Sequence, residues 1–436
     1  MSVNYEQNAA DEQFARAHKA VSLSDDEEEA EAEESTSQDD GPPASKRARE
    51  FYEEPGGGKG GEGGEAPDDR EEDPDQEQDT EAAAAGGAAN THVVAHHYNE
   101  LKEGGRKDRQ QSKIFFMRNF NNWIKSQLIN EYMSQIKQQK RMGDALRVLD
   151  MCCGKGGDLL KWEKASISHL ICTDIAEVSV EQCQRRYKDI LQRAEKSKFA
   201  NKFTAEFFAC DSTLVRLRER YKDPSLQLNL VSCQFAFHYC FESMAQADCM
   251  MRNAAECLKP GGFFIATMPD AYEIIRRLKA AGPDARRFGN DVYSIEFDCE
   301  TDPLPFFGAK YQFHLEGVVD CPEFLVHFPT LIKLGRKYGL QLIRRSTFAD
   351  YYKESLPHGR HLLQRMSGLE TVHPQRCEND EQFAHVRNFQ GAQRGRPLGT
   401  LSKSEWEAAT LYLVCAFKKC KNTWDTNGKP LFEFDD

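Results

Sequence analysis

Residues Arg147 to Asp174 read RVLDMCCGKGGDLLKWEKASISHLICTD. A short apolar run, Val148-Leu149, ends in Asp150, and a loop holding Gly154, Gly156 and Gly157 follows. A helix-like segment starts at Asp158, and a second apolar run, Leu170-Ile171-Cys172, ends in Asp174. Two buried-strand patterns flanking a glycine turn and a helix describe a βαβ unit, with an acid roughly 20 residues on, where a ribose hydroxyl would be met. Glycine at the turn lets a ligand approach the backbone with no Cβ in the way. A dinucleotide fingerprint wants G-x-G-x-x-G aimed at a pyrophosphate, whereas here Cys152 takes the first glycine position and the order is C-x-G-x-G-G. The bland alternative is a glycine turn in an arbitrary α/β domain, and the spacing to Asp174 weighs against it.

The acid two residues before the loop resembles the S-adenosylmethionine (AdoMet) site of class I methyltransferases. That resemblance implies a loop facing the amino-acid end of the cofactor, which carries no phosphate, and an acid after the second strand that takes both ribose hydroxyls.

Charge divides the chain of 436 residues. Residues 1–90 carry 27 acidic and 7 basic side chains, net −20, which leaves net +7 on residues 91–436. A positive body suits a phosphate-bearing partner, although net charge does not specify a fold. The 14 cysteines are scattered with no C-x-x-C pair, so buried thiols in a reduced cytosolic or nuclear setting are expected. No apolar run is long enough to span a bilayer, so no membrane partner is expected.

In chain order, residues 1–90 contain SDDEEEAEAEE, GGGKGGEGGE and EAAAAGGAAN, which bury too little apolar surface to offset ordering entropy; a disordered acidic tail is expected, followed by one catalytic domain over 91–436. Within the tail, Ser45-Lys46-Arg47-Ala48-Arg49 is a basic knot readable by nuclear import machinery, or simply a solvated charge patch. Phe116, Phe120, Ile124, Leu128, Tyr132 and Ile136 recur every fourth position and predict an amphipathic helix, with Asn121 and Lys125 one step off the stripe. Helices are predicted over 178–191 and 245–258, and strands at Phe207–Cys210, Leu228–Phe237 and Phe263–Thr267. This alternation argues for an α/β fold with a doubly wound, mostly parallel sheet, whose ligands bind beyond the carboxyl ends of the strands. Asp174, Asp211, Gln234 and His238 all fall there. Val292–Asp298 and Lys310–Leu315 predict an antiparallel hairpin extension that delivers Glu316 and Gly317 at its exit. Residues 361–397 predict an irregular or helical insertion, and Leu411–Phe417 an antiparallel strand finishing the sheet.

Phe120-Asn121-Asn122-Trp123-Ile124-Lys125, GKGGDLLKW, Cys172-Thr173-Asp174-Ile175, Cys233-Gln234-Phe235 with His238-Tyr239, Leu315-Glu316-Gly317, and Leu398-Gly399-Thr400 before Tyr412 together resemble the eukaryotic mRNA cap (guanine-N7) methyltransferase family, in a vertebrate-like form. The resemblance covers roughly 112–417. It implies that Lys125, Asp174, Asp211, Gln234 and Tyr239 line the AdoMet pocket, together with Cys152 in place of the family's usual glycine. It also implies that Asn121 and Asn122 contact the cap, His238 and Glu316 the guanine, and Lys155, Lys161 and Arg186 the phosphate side, with Tyr412 closing the guanine pocket. Each has a plainer reading: a hydrogen-bonded core histidine for His238, a turn residue for Glu316, helix decoration for the lysines. Implied partners are 5′-capped mRNA, an RNMT-activating miniprotein with its contact expected in 361–397, and the transcription and capping machinery; the implied location is the nucleus.

Guanine N7 has an unprotonated lone pair at neutral pH, so in-line methyl transfer needs no general base, nucleophile or metal, and orientation with electrostatics suffices. Two rivals belong to other classes: a nonenzymatic RNA-binding scaffold, for which Cys152 is the suggestive feature, and an NAD-dependent oxidoreductase, which lacks its first glycine.

Overall fold

The alternation read from the sequence is realised in the computed structural model as a seven-stranded sheet. Residues 21–22, 90–101, 105–141, 143–196, 202–373, 375–376, 380–388 and 395–423, with 425 and 429, are described. The acidic tail and the basic knot at Ser45–Arg49 lie outside the described residues, apart from β1 (Val21–Ser22), which pairs with Gly399 and Leu398.

The sheet contains β2 (Arg147–Met151), β3 (His169–Asp174), β4 (Thr204–Ala209), β5 (Leu228–Gln234), β6 (Leu258–Pro269), β11 (Leu340–Thr347) and β14 (Tyr412–Lys419), in the order β11-β14-β6-β5-β2-β3-β4. Strand β14 runs antiparallel to both neighbours, β6 and β11. The predicted last strand is therefore internal, because β11, absent from the sequence reading, takes the edge. After the buried Leu340 its residues alternate exposed and half-buried, the pattern of a strand with one solvated face. Strand β6 starts at Leu258, five residues earlier than predicted.

Alternate strand residues enter two cores, as the period of two requires. Val148, Leu230, Ile265 and Val414 face one side, packed with Trp123, Trp162 and Tyr351. Leu149, Val231, Ala266 and Leu413 face the other, packed with Met250, Met251 and Leu331.

The predicted amphipathic helix spans Phe115–Gln139, but it is buried well beyond one stripe, including Met117, Trp123, Gln127, Ile129 and Met133. It packs against both the sheet and the helix Phe348–Arg365, which also touches the sheet, and Trp123 Nε1 donates to Gly359 O at 2.9 Å. A Cβ on Gly359 would stand 2.7 Å from Trp123 Cζ2, so only glycine permits this approach. Ser402 and Glu405 form a capping box on the helix Lys403–Ala409, and Glu405 Oε1 also accepts from Met117 N at 3.0 Å, joining the two helix starts.

A second, antiparallel sheet has the order β10-β9-β8-β7: β7 (Arg287–Gly289), β8 (Tyr293–Phe297), β9 (Lys310–Leu315) and β10 (Val319–Phe324). The predicted hairpin is β8 and β9, and β7 and β10 flank it. Residues 361–365 finish the helix from Phe348, while β12 (Glu370–Val372), a 3-10 segment at Glu381–Asn388 and β13 (Leu398–Thr400) form the insertion. The insertion has a small core of its own in Val372, Phe383, Val386 and Leu398.

Candidate active site

Parallel strands bring their carboxyl ends to one edge, and three polar side chains gather there. Asp174 closes β3; its Oδ2 accepts from Gly154 N at 2.8 Å and its Oδ1 from Ala176 N at 2.9 Å. Burial raises the Asp174 carboxyl and these backbone donors partly restore it. Asp211, just past β4, accepts on Oδ1 from Thr213 N and Oγ1 at 2.8 and 2.7 Å. Gln234 closes β5 and donates to Ser232 Oγ at 2.9 Å. Among the described residues, Asp211 Oδ2 and Gln234 Oε1 are buried without a hydrogen-bond partner, and such groups call for a ligand or water donor.

A cavity opens at this edge, walled by Cys152, Ile175, Asp211 and Tyr239 and, from the helix over 90–100, by Asn90 and Val94. That helix is pinned across the cavity. Asn90 Nδ2 donates to Glu242 Oε1 at 2.6 Å, Tyr98 and Tyr239 share a hydroxyl contact at 3.1 Å, and Val178 N donates to Asn99 Oδ1 at 3.2 Å. Lys155 Nζ closes its far end on Leu101 O at 2.5 Å. The expected boundary after residue 90 thus falls on a wall of the cavity.

Cys152 has φ 55. The first loop position is left-handed, which explains why glycine suits it and why a Cβ there carries strain. Beneath the loop, Asp158 is shared by Lys125 Nζ at 2.9 Å and Lys161 Nζ at 2.7 Å. Burial alone would push the Asp158 carboxyl up, but the two ammonium groups hold it down at about 2. Lys125 therefore reaches the loop's helix start rather than the cavity lining. Lys161 Nζ also donates to Asn122 Oδ1 at 2.5 Å, and Asn121 Oδ1 is buried without a hydrogen-bond partner. Arg186 is half-buried on the helix Glu177–Lys196. On the same helix the Cys183 thiol is held down to about 5 by hydrogen bonds from Cys153 and Cys172.

Beside the cavity lies a cluster of aromatic and acidic groups. His238, fully buried in the 3-10 turn Phe237–Glu242, lies with Nε2 3.2 Å from Glu323 Oε1, close though not aligned as a hydrogen bond, and its Nδ1 has no hydrogen-bond partner among the described residues. Tyr311 OH donates to Glu323 Oε2 at 2.8 Å, and Tyr239 OH lies 3.5 Å from Oε1. Tyr412 reaches the same edge because β14 runs antiparallel and starts where its neighbours end. Its ring meets Phe235 edge-on at 5.1 Å between centroids.

The carboxylate beside His238 is therefore Glu323 and not Glu316. Glu316 sits half-buried in the tight turn between β9 and β10, its N–H donating to Val292 O at 3.0 Å. The sequence reading stopped at the hairpin exit, whereas the next strand, β10, returns and carries an acid to the cluster. The available signal was an acid in an apolar run, Pro322-Glu323-Phe324-Leu325-Val326. Phe235 was the second omission: its φ of 61 is strained for an aromatic residue, and its N–H donates to Thr267 O and Oγ1, both at 3.0 Å. Strain of this kind concentrates at functional sites.

Residues 81–420 match the family model described as the mRNA (guanine-N(7))-methyltransferase domain. The chain belongs to the mRNA (guanine-N7)-methyltransferase family. Relatives named mRNA cap guanine-N(7) methyltransferase include one from Drosophila melanogaster, 86% identical over 436 residues and 100% of both chains. A Caenorhabditis elegans relative is 40% identical, covering 74% of this chain and 86% of its own, and one from Schizosaccharomyces pombe is 37% identical, covering 74% and 80%. The match at 86% is thus to an insect protein. A solved AdoMet-dependent methyltransferase from Clostridium acetobutylicum overlaps loosely, at 11% identity and TM-score 0.37, over 67% of this chain and 92% of that one. Membership in the methyltransferase family displaces both the oxidoreductase and the nonenzymatic scaffold.

Proposed function

We propose that this chain moves a methyl group from AdoMet to N7 of the guanine cap of mRNA, with the cofactor in the cavity at the strand ends and guanine against the His238–Glu323 cluster. The observation that carries this reading is the pairing of unmet acceptors with a buried carboxylate at one edge: Asp211 Oδ2 and Gln234 Oε1 on one side, Glu323 on the other.

The residues present suit AdoMet. Asp174 has two lone pairs left for ribose hydroxyls, Asp211 Oδ2 and Gln234 Oε1 can accept from an amino group, and Ile175 and Met250 offer apolar contact for a purine. AdoMet supplies an electrophilic methyl carried on a sulfonium. Tyr239 lines the cavity and its hydroxyl approaches Glu323, so it stands between donor and acceptor. Glu323 accepts from the guanine N1 and N2 donors and favours the positive charge that develops on the ring. Phe235 and Tyr412 present aromatic surface, His238 Nδ1 remains for a further polar contact, and Asn121 and Asn122 with Lys155, Lys161 and Arg186 take the cap's phosphate side. No residue needs to abstract a proton, and Cys152 stands against the amino-acid end of the cofactor.

Capping of mRNA goes with a nuclear role. Import through Ser45–Arg49, recruitment to the transcription and capping machinery through the acidic tail, and an activating miniprotein docked on residues 361–397 complete the proposal. Methyl transfer from radiolabelled AdoMet to a short capped RNA tests the central claim. Transfer to N7 of capped but not uncapped RNA is expected; binding of AdoMet without transfer would refute it.

A further inference from the structure

Cys153 in the glycine loop, Cys172 in β3 and Cys183 in the helix Glu177–Lys196 are separated by 19 and 11 positions in sequence, yet their three sulfurs all lie within 4.8 Å of one another. Cys172 and Cys183 are buried, and Cys153 is half-buried on the loop, which gives the group an outward side. This helix follows β3, crosses over to β4 and packs back against the loop and β3, so three distant thiols share one face.

Two sulfurs bound to one d¹⁰ ion at about 2.3 Å lie about 4 Å apart, so these thiols need to close by less than about 1 Å to ligate one ion. Neutral thiols packed as small apolar groups are the ordinary fate of buried cysteine. Three mutually facing sulfurs are a donor set for a soft ion, since thiolates select zinc, copper(I) and their heavier relatives over hard cations.

We propose that Cys153, Cys172 and Cys183 form a trithiolate site for a soft d¹⁰ metal ion behind the cofactor loop. Binding displaces whatever protons the three sulfurs still carry and forms three metal–sulfur bonds with no change of oxidation state, and water completes the coordination of an ion that prefers four ligands. The site is coupled to the cofactor cavity, a part of the inference that rests on the AdoMet reading. A Cβ on Gly156 would stand 2.8 Å from Cys183 Sγ, so the loop rests directly on this sulfur. Gly154, next to Cys153, gives its N–H to Asp174. Closing the thiols on an ion draws Cys153 inward and shifts that hydrogen bond, so the ion and AdoMet weaken one another by the same factor.

The test uses the reduced, metal-stripped full chain and Cd²⁺ as probe. One tight equivalent with a thiolate-to-cadmium charge-transfer band is expected, together with protection of the half-buried Cys153 from alkylation while the exposed Cys420 stays reactive. Cys172→Ala and Cys183→Ala should each lose the band. If either variant fails to fold, the alkylation footprint of the unmutated chain decides alone. Protection of other cysteines, or an undiminished band in both folded variants, would overturn the site. An AdoMet affinity unmoved by saturating Cd²⁺ would overturn the coupling. None of these readouts involves RNA, so failure here is separable from failure of cap methylation.

Discussion

Replacing Glu323 by glutamine separates the recognition of guanine from the binding of cofactor. The carboxylate is buried, with Tyr311 OH at 2.8 Å on Oε2 and His238 Nε2 at 3.2 Å from Oε1. Glutamine keeps the volume and one acceptor, which the Tyr311 hydroxyl holds. The amide then turns its NH₂ toward His238 and the space assigned to guanine, facing donors with a donor. Loss of a hydrogen bond to a charged group is worth about 1.5–3 kcal/mol, or about 10- to 150-fold in kcat/KM. AdoMet affinity should hold, since Glu323 does not wall the cofactor cavity, and Tm should hold or rise because a buried charge is removed. The parallel variant Glu316→Gln lies on a half-exposed turn, where changes stay within about 0.5 kcal/mol. Steady-state kinetics on capped RNA, calorimetric titration of AdoMet and thermal melts of both variants give the answer. Near-normal kcat/KM for Glu323→Gln would refute the reasoning, most sharply if Glu316→Gln were the impaired variant.

Other consequences are as direct. Cys152→Gly relieves a left-handed conformation worth about 1 kcal/mol but frees the unfolded chain by about 0.4–1 kcal/mol, so Tm should barely move while calorimetry shows tighter AdoMet binding; weaker binding would mean that the thiol contributes contacts. Deleting residues 1–84 should leave turnover on short capped RNA largely intact, whereas deleting 1–101 removes the cavity wall formed by Asn90, Thr91 and Val94 and should abolish AdoMet binding. Gly359→Ala drives a Cβ into Trp123 and should cost about 1–3 kcal/mol in urea unfolding. His385, whose Nε2 lies 2.9 Å from Thr400 Oγ1, is held neutral, with burial first and then Lys403 pulling it down to about 3. The unfolded chain binds a proton near pH 6.5 that the folded chain refuses, so this residue makes stability fall by about 1.4 kcal/mol per unit as pH drops from 6.5 toward 3; hydrogen exchange at Glu381–Asn388 should show this slope, and His385→Gln should flatten it.

Sequence alone determined the parts of this protein that depend on near neighbours. The loop from Asp150 to Asp158, the acids that close β3 and follow β4, and the strand-and-helix alternation are local patterns, because a period of two or a glycine turn is set by adjacent residues. The placement of Asp174, Asp211 and Gln234 at one edge was legible for the same reason: in a parallel sheet, a residue that ends its strand must reach the common edge. Tertiary structure decided the rest. Glu323 displaced Glu316 because the register of β10 on β9, and not the nearness of an acid to a turn, determines which carboxylate meets His238. The helix over 90–100 became a wall through contacts with Tyr239, Glu242 and Val178 that span 79 to 152 positions. Strand β14 moved inside the sheet because β11 needed a partner that no local pattern names. Cys153, Cys172 and Cys183 carry no motif, and only the packing of a helix on a loop brings their sulfurs together.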